Sequence, residues 1–223
     1  MKRLRSLLEQ MVSEEMMLDE AAKSVDSLVQ EGLALEISRG AAGNGEILDL
    51  ILYDPKALTQ YGTSTSDWTN KSNLVKAAPE VVIGYIGLGG GLLTSCGAWT
   101  VGIVVARKGY GPTMYDLAMS VISPDFMASD RKLVSAEARP IWNYMATTRA
   151  HDYEIKRLPT NDSQCGFADN NELGNDPNLG LAFSLKNPVN YAALEHNHEQ
   201  TLQSIQKAQP EFGRKVGVVL VRL

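Results

Sequence analysis

Six consecutive residues, Arg107-Lys108-Gly109-Tyr110-Gly111-Pro112, combine two cations, two glycines and a proline. They stand between an apolar run, Ala98 to Ala106, and a helical pattern, Thr113 to Ser123. A helix start offers unpaired backbone N–H groups and a partial positive charge, so it can hold an anion such as a phosphate. Glycine lets that anion come close to the backbone. Proline suits the first helical turn, where its missing N–H costs nothing. Other reactive residues make weaker patterns. His196 and His198 in Glu195-His196-Asn197-His198-Glu199 are two apart, and on a helix such residues point in different directions rather than converging on a metal. His151-Asp152 follows a helical pattern, where an imidazolium would cap the end of the dipole. Ser95-Cys96 has no base beside it, and its neighbours Gly91 and Gly97 read as turn residues. The stretch 89–97, GGGLLTSCG, lacks the terminal Gly-Lys-Ser/Thr of a phosphate-binding P-loop.

The elements that must position the turn can be read from pattern. Residues 2–31 repeat apolar positions at helical spacing, with Ser13 as a second N-cap and Gly32 as a stop. Leu33 to Ser38 and Ile47 to Tyr53 read as strands joined by a turn over Gly40 to Gly45, and Pro55 ends the second. Residues 59–74 are polar and read as a loop. Val81 to Leu88 and Ala98 to Ala106 are the next strands, followed by the turn, the helix and a short strand, Phe126 to Ser129. Ser135 is a candidate N-cap for another helix, which either starts near Arg139 or kinks at Pro140. Tyr153 to Leu158 alternates as a strand, 159–178 is a long polar loop, Leu181 to Leu185 is a strand, Tyr191 to Gln209 a helix and Lys215 to Arg222 a final strand. Short turns between strands predict antiparallel pairing, and the strand–turn–helix–strand unit predicts one parallel crossover. The expected class is α+β (mixed α/β), in one domain with a helical segment over residues 1–32 packed on a sheet domain over 33–223.

The chain has 223 residues, 44% of them hydrophobic, enough for one sizeable core. Its formal charge is −5 and it carries no long basic run, which argues against nucleic acid as its main partner. No window is apolar enough for a membrane-spanning helix, the first residues lack the apolar core of a signal peptide, and Cys96 and Cys165 form no paired motif. These features predict a soluble protein that works in the cytoplasm.

With Gly109 and Gly111 after a long strand, then a helix, a short strand and a helix bearing Tyr144, the chain resembles the GCN5-related N-acetyltransferase (GNAT) family over residues 80–200. The family's Gln/Arg-x-x-Gly-x-Gly/Ala turn is matched at both glycines, while Ala106 stands at the Gln/Arg position. The details around Tyr115-Asp116, Ser129-Asp130-Arg131, Trp142 and Asn190-Tyr191 look most like acetyltransferase-like proteins encoded by tailed phages. The resemblance implies a mostly antiparallel central sheet with a splayed parallel pair, flanked by helices. It implies acetyl-CoA as co-substrate, with no metal, lying where Ala98–Ala106 diverges from Phe126–Ser129. Backbone groups of Val104 and Val105 would pair with the pantetheine arm, and Arg107, Lys108, Gly109, Tyr110, Gly111, Pro112 and Thr113 would receive the pyrophosphate. Tyr144 matches the family's usual acid. No base stands on the Ala98–Ala106 strand; Asp130 or Ser129 could act through a water, or Glu46 or Asp49 could reach in from a neighbouring strand. Two functions follow. One is N-acetyl transfer to an amine or protein acceptor; the other is a non-catalytic structural or interaction role, in a virion, against a host protein or as a homo-oligomer.

Overall fold

The computed structural model describes residues 22–42, 45–60, 80–89, 97–129, 138–159 and 180–208. The part of the expected 2–31 helix before residue 22 with its Ser13 cap, the expected 59–74 loop beyond residue 60, Cys96, Asp130, Arg131, Ser135, the expected 159–178 loop beyond Pro159 with Cys165 and the strand at 215–222 lie outside the described residues, while residues 59–60 belong to a helix rather than to the loop.

Among the described residues the first element is α1 (Val25–Gln30), whose N-cap Ser24 accepts the Ser27 N–H through its side chain at 3.1 Å. Gly32 follows with φ +78°, the left-handed stop expected of it. Next come β1 (Ala34–Ala42) and β2 (Gly45–Tyr53), paired residue by residue from Ala34↔Tyr53 to Ala42↔Gly45. The turn expected over 40–45 is therefore shorter. Gly40, Ala41 and Ala42 stay in the ladder because antiparallel backbone pairing continues until only residues 43–44 remain between the strands. Asp54 then accepts the N–H groups of Lys56 and Ala57 at 2.8 and 3.3 Å and starts α2 (Pro55–Gln60). An Asp-Pro pair in N-cap and N1 positions could have signalled that helix.

The remaining elements among the described residues are β3 (Val82–Gly89), β4 (Ala98–Ala106), α3 (Gly111–Ile122), β5 (Phe126–Ser129), α4 (Arg139–Ala146), β6 (Tyr153–Arg157), β7 (Leu181–Leu185) and α5 (Ala192–Ala208). α4 begins at Arg139 with Pro140 in its first turn, so there is no kink. The strands form a seven-stranded sheet in the order β1-β2-β3-β4-β5-β7-β6. Every neighbouring pair is antiparallel except β4 with β5. The fold is thus the mixed α+β sheet with one parallel pair, flanked by helices, that the sequence predicts. Among the described residues, no helix is long and apolar enough to cross a membrane.

One face of the sheet buries Leu35, Leu50, Ile86, Trp99 and Met127 against Leu28 of α1, Met114 and Leu117 of α3, and Trp142 of α4. Gly84 of β3 lets α3 lie close, for a Cβ there would stand 2.6 Å from the Met114 sulfur. On the opposite face Ala34, Ile51, Tyr53 and Tyr85 pack with Leu58 of α2 and Ile205 of α5. α5 is tied to the start of β1 by the Asn197 amide, which donates to the Leu33 carbonyl at 2.8 Å.

Candidate functional site

Among the described residues the parallel pair spans four positions. β4 and β5 are in register from Ala98↔Phe126 to Val101↔Ser129, and β4 then runs on for five residues. From Gly102 to Ala106 it has β3 on one side and, among the described residues, no strand on the other. At the fork the β3–β4 register shifts: Leu88 faces Val101 but Gly87 faces Ile103, so Gly102 is the extra residue of a bulge. The bulge switches which positions of the strand face which side of the sheet. Trp99 and Val101 belong to the α3 face and so do Val104 and Ala106, while Val105 joins the opposite core. Ile103, 42% exposed, is the one large hydrophobic side chain left open among the described residues. At the last position of the pair, Ser129 is 1% exposed and its hydroxyl has no hydrogen-bond partner among the described residues. Buried hydroxyls are nearly always bonded, so this one marks a place where a polar group is wanting.

β4 leads directly into the glycine turn. The Arg107 N–H donates to Ile83 O at 2.8 Å and the Tyr110 N–H to Arg107 O at 3.0 Å. Gly109 has φ +84°, which a residue with a side chain adopts only with strain. α3 starts at Gly111 with Tyr110 as N-cap and no side-chain cap, so Gly111 and Thr113 lie buried at an uncapped helix start. Thr113 does not cap the helix itself. Its hydroxyl accepts the Lys23 N–H at 2.8 Å, and this binds the segment before α1 to the start of α3.

Pattern reading missed the rest of that clasp. The Lys23 ammonium donates to Glu31 at 2.9 Å and to the Tyr110 hydroxyl at 3.1 Å, and it stands 4.1 Å from the Tyr110 ring centre. The Tyr110 hydroxyl donates to the other Glu31 oxygen at 2.5 Å. The bond to Glu31 holds the Lys23 pKa above its ordinary value, and the Tyr110 hydroxyl holds the Glu31 carboxyl below its own. Burial, with Glu31 second, raises Tyr110. A third cation and one carboxylate thus stand beside the turn.

Tyr144 is half-buried on α4, a helix anchored by Trp142 stacked edge-to-face on Tyr115 at 5.5 Å. It lines a cavity of about 10 Å³, the room of one water, with Pro112, Tyr115 and Arg149 among its walls. The structure therefore brings Tyr144 beside Pro112 of the turn. Below it, Arg149 holds Asp116 of α3 through two bonds of 3.2 and 2.9 Å, and the Tyr153 hydroxyl donates to the same carboxylate at 3.0 Å. Burial pushes the Asp116 carboxyl up, with Arg149 acting against it.

Of the candidate bases, Asp130 lies outside the described residues, Ser129 stands at the fork, Glu46 at the far end of the β1–β2 hairpin, and Asp49 opposite Gly87. The histidines diverge as their spacing predicts: His198 Nδ1 meets the Tyr53 hydroxyl at 2.9 Å, while His196 Nε2 meets the Gln200 amide at 2.9 Å. His151 is exposed and stands 3.2 Å from Asp152. No protein-family model, curated protein or solved structure matches the chain.

Proposed function

We propose that the protein is a GNAT-like acyltransferase that takes acetyl-CoA in the β4–β5 fork and moves the acetyl group to an amine. The fork is the observation that carries this reading. Among the described residues β4 has no strand on its β5 side beyond Val101, and there the outward-facing backbone groups of Val104 suit the amides of a pantetheine arm, while those of Val105 turn to Tyr85 of β3. The same strand delivers its end to a glycine turn and an uncapped helix start, where Arg107 to Thr113 suit a pyrophosphate. The Ser129 hydroxyl, without a partner among the described residues, fits an acyl thioester, whose carbonyl accepts a hydrogen bond. The co-substrate supplies an activated acyl group. The chain's own residues bind and orient it, and Tyr144, with Asp130 as a candidate partner, would handle protons.

Thermal unfolding tests the reading. Acetyl-CoA and CoA at about a hundred times Kd add about 2.7 kcal/mol, which raises Tm by about 5–10 °C for a chain of this size. Gly111→Glu places bulk and negative charge at the phosphate site and abolishes the rise. A wild-type protein whose Tm ignores both ligands at millimolar concentration overturns the proposal. One observation favours the second reading, a non-catalytic module of the same fold: the Glu31 carboxylate stands by the turn, where it repels a phosphate. Binding of CoA without acetyl transfer to any amine would support that module.

A further inference from the structure

We infer that Lys23, Ser27 and Tyr110 form an anion site that the Glu31 carboxylate fills in this structure and that a phosphate monoester takes over on binding. That the monoester is the ribose phosphate of CoA rests on the acyltransferase reading above; the anion site rests on its donors alone.

Side chains from separate parts of the chain converge on one carboxylate. The Lys23 ammonium donates to Glu31 Oε1 at 2.9 Å, and the Ser27 hydroxyl of α1 donates to the same oxygen at 3.3 Å. The Tyr110 hydroxyl donates to Oε2. The ammonium also donates to the Tyr110 hydroxyl at 3.1 Å, which ties the two into one donor set. The set is fixed to the start of α3, because Thr113 Oγ1 holds the Lys23 N–H at 2.8 Å and Tyr110 is the N-cap. Donors that grip a carboxylate suit a phosphate as well, since both are oxyanions and charge-assisted bonds to them are the strong ones.

A monoester matches the set best. It carries a charge of about −1.5 to −2 near neutral pH and three accepting oxygens, one each for the ammonium, the phenol and the Ser27 hydroxyl. The backbone cannot serve it in addition to a pyrophosphate. Pro112 has no N–H and the Met114 N–H goes to Tyr110 O at 3.0 Å, so the first turn of α3 keeps only the Gly111 and Thr113 amides outside the helix ladder. A further phosphate must therefore be held by side chains.

Glu31 is a weak occupant. It is the C-cap of α1, the end where the helix dipole disfavours an acid. It brings one charge, and its side chain and that of Lys23 are both part exposed, so solvent screens the pair. Its way out is open, for a Cβ on the neighbouring Gly32 would meet nothing within 4 Å. The Tyr110 bond keeps the Glu31 carboxyl ionised and the Glu31 bond keeps Lys23 charged. The empty site thus holds an anion of its own, and binding is an exchange: Glu31 turns to water and the phosphate takes its donors.

The test is calorimetric titration of the full chain with CoA, with dephospho-CoA, which lacks only the ribose phosphate, and with inorganic phosphate. Wild type is expected to bind CoA about tenfold tighter than dephospho-CoA. Lys23→Met with Glu31→Gln, which removes both charges together, brings that ratio to about one, while Lys23→Arg keeps a preference for CoA. Glu31→Gln alone removes the competitor and tightens CoA about threefold more than dephospho-CoA, a split that general loosening of the fold would not produce. The inference is overturned if wild type binds the two nucleotides equally, or if Glu31→Gln leaves their ratio unchanged. If neither nucleotide binds, the acyltransferase reading falls and inorganic phosphate decides. Its uptake by Glu31→Gln, lost when Lys23→Met is added, keeps the anion site; no uptake overturns that site too.

Discussion

Glu31 does at residue scale what neither its helix nor its neighbours announce. Two oxygens of one carboxylate are divided between the Lys23 ammonium and the Tyr110 hydroxyl, with the Ser27 hydroxyl a further donor at 3.3 Å. The Tyr110 bond keeps the carboxyl ionised to lower pH than usual. In the unfolded chain, Glu31 takes up its proton near the ordinary glutamate pKa of about 4.3. The contribution is therefore complete near neutral pH, declines as pH falls through about 4.3 and vanishes below the depressed folded value. Both Lys23 and Glu31 side chains are 33% exposed, so solvent screening limits the pair to about 0.2–1 kcal/mol. Urea titrations of wild type and Glu31→Gln between pH 7 and 3 check this: the stability gap closes as pH falls. A gap independent of pH would contradict the pairing.

Elements are joined by longer-range contacts. α3 is buried over all twelve residues, from Gly111 to Ile122, and its one carboxylate, Asp116, faces Arg149 from the connection after α4 and Tyr153 from β6. Arg149 Nε reaches Asp152 as well, at 2.9 Å. The side chains of Arg149 and Asp116 are 14% and 11% exposed. Burying these charges is costly and their attraction offsets the cost only while both are present. Asp116→Asn is expected to cost about 3 kcal/mol in urea unfolding. Adding Arg149→Met should recover part of it, because the second change removes the stranded cation. Equal losses for the single and double variants would show that the pair does not couple α3 to β6.

The molecule as a whole places α1 inside the main core rather than beside it. Leu28 of α1 is fully buried with Leu35, Leu50 and Met114, so α1 and the sheet share one apolar interior. Leu28→Ala is expected to cost about 2–5 kcal/mol. Because the core is shared, tryptophan fluorescence and far-ultraviolet dichroism should report the same shifted midpoint. A separate early transition, with the sheet unaffected, would show that α1 is an independent appendage.

Local chemistry was legible in the chain where a run and its punctuation sufficed. Ala98–Ala106, Phe126–Ser129 and Leu181–Leu185 read as strands with the bounds the structure has, because apolar β-formers stop at turn residues. The order strand, glycine turn, helix, strand was enough to predict the parallel crossover. Tertiary structure alone decided the rest. The bulge at Gly102 depends on which β3 residue faces it, and the row Ser38, Asp49, Gly87 and Ile103 depends on registers across four strands. The Lys23–Tyr110 clasp joins residues 87 positions apart. Propensity and periodicity act over a few residues, whereas register, burial and polar pairing are settled by packing of the whole chain.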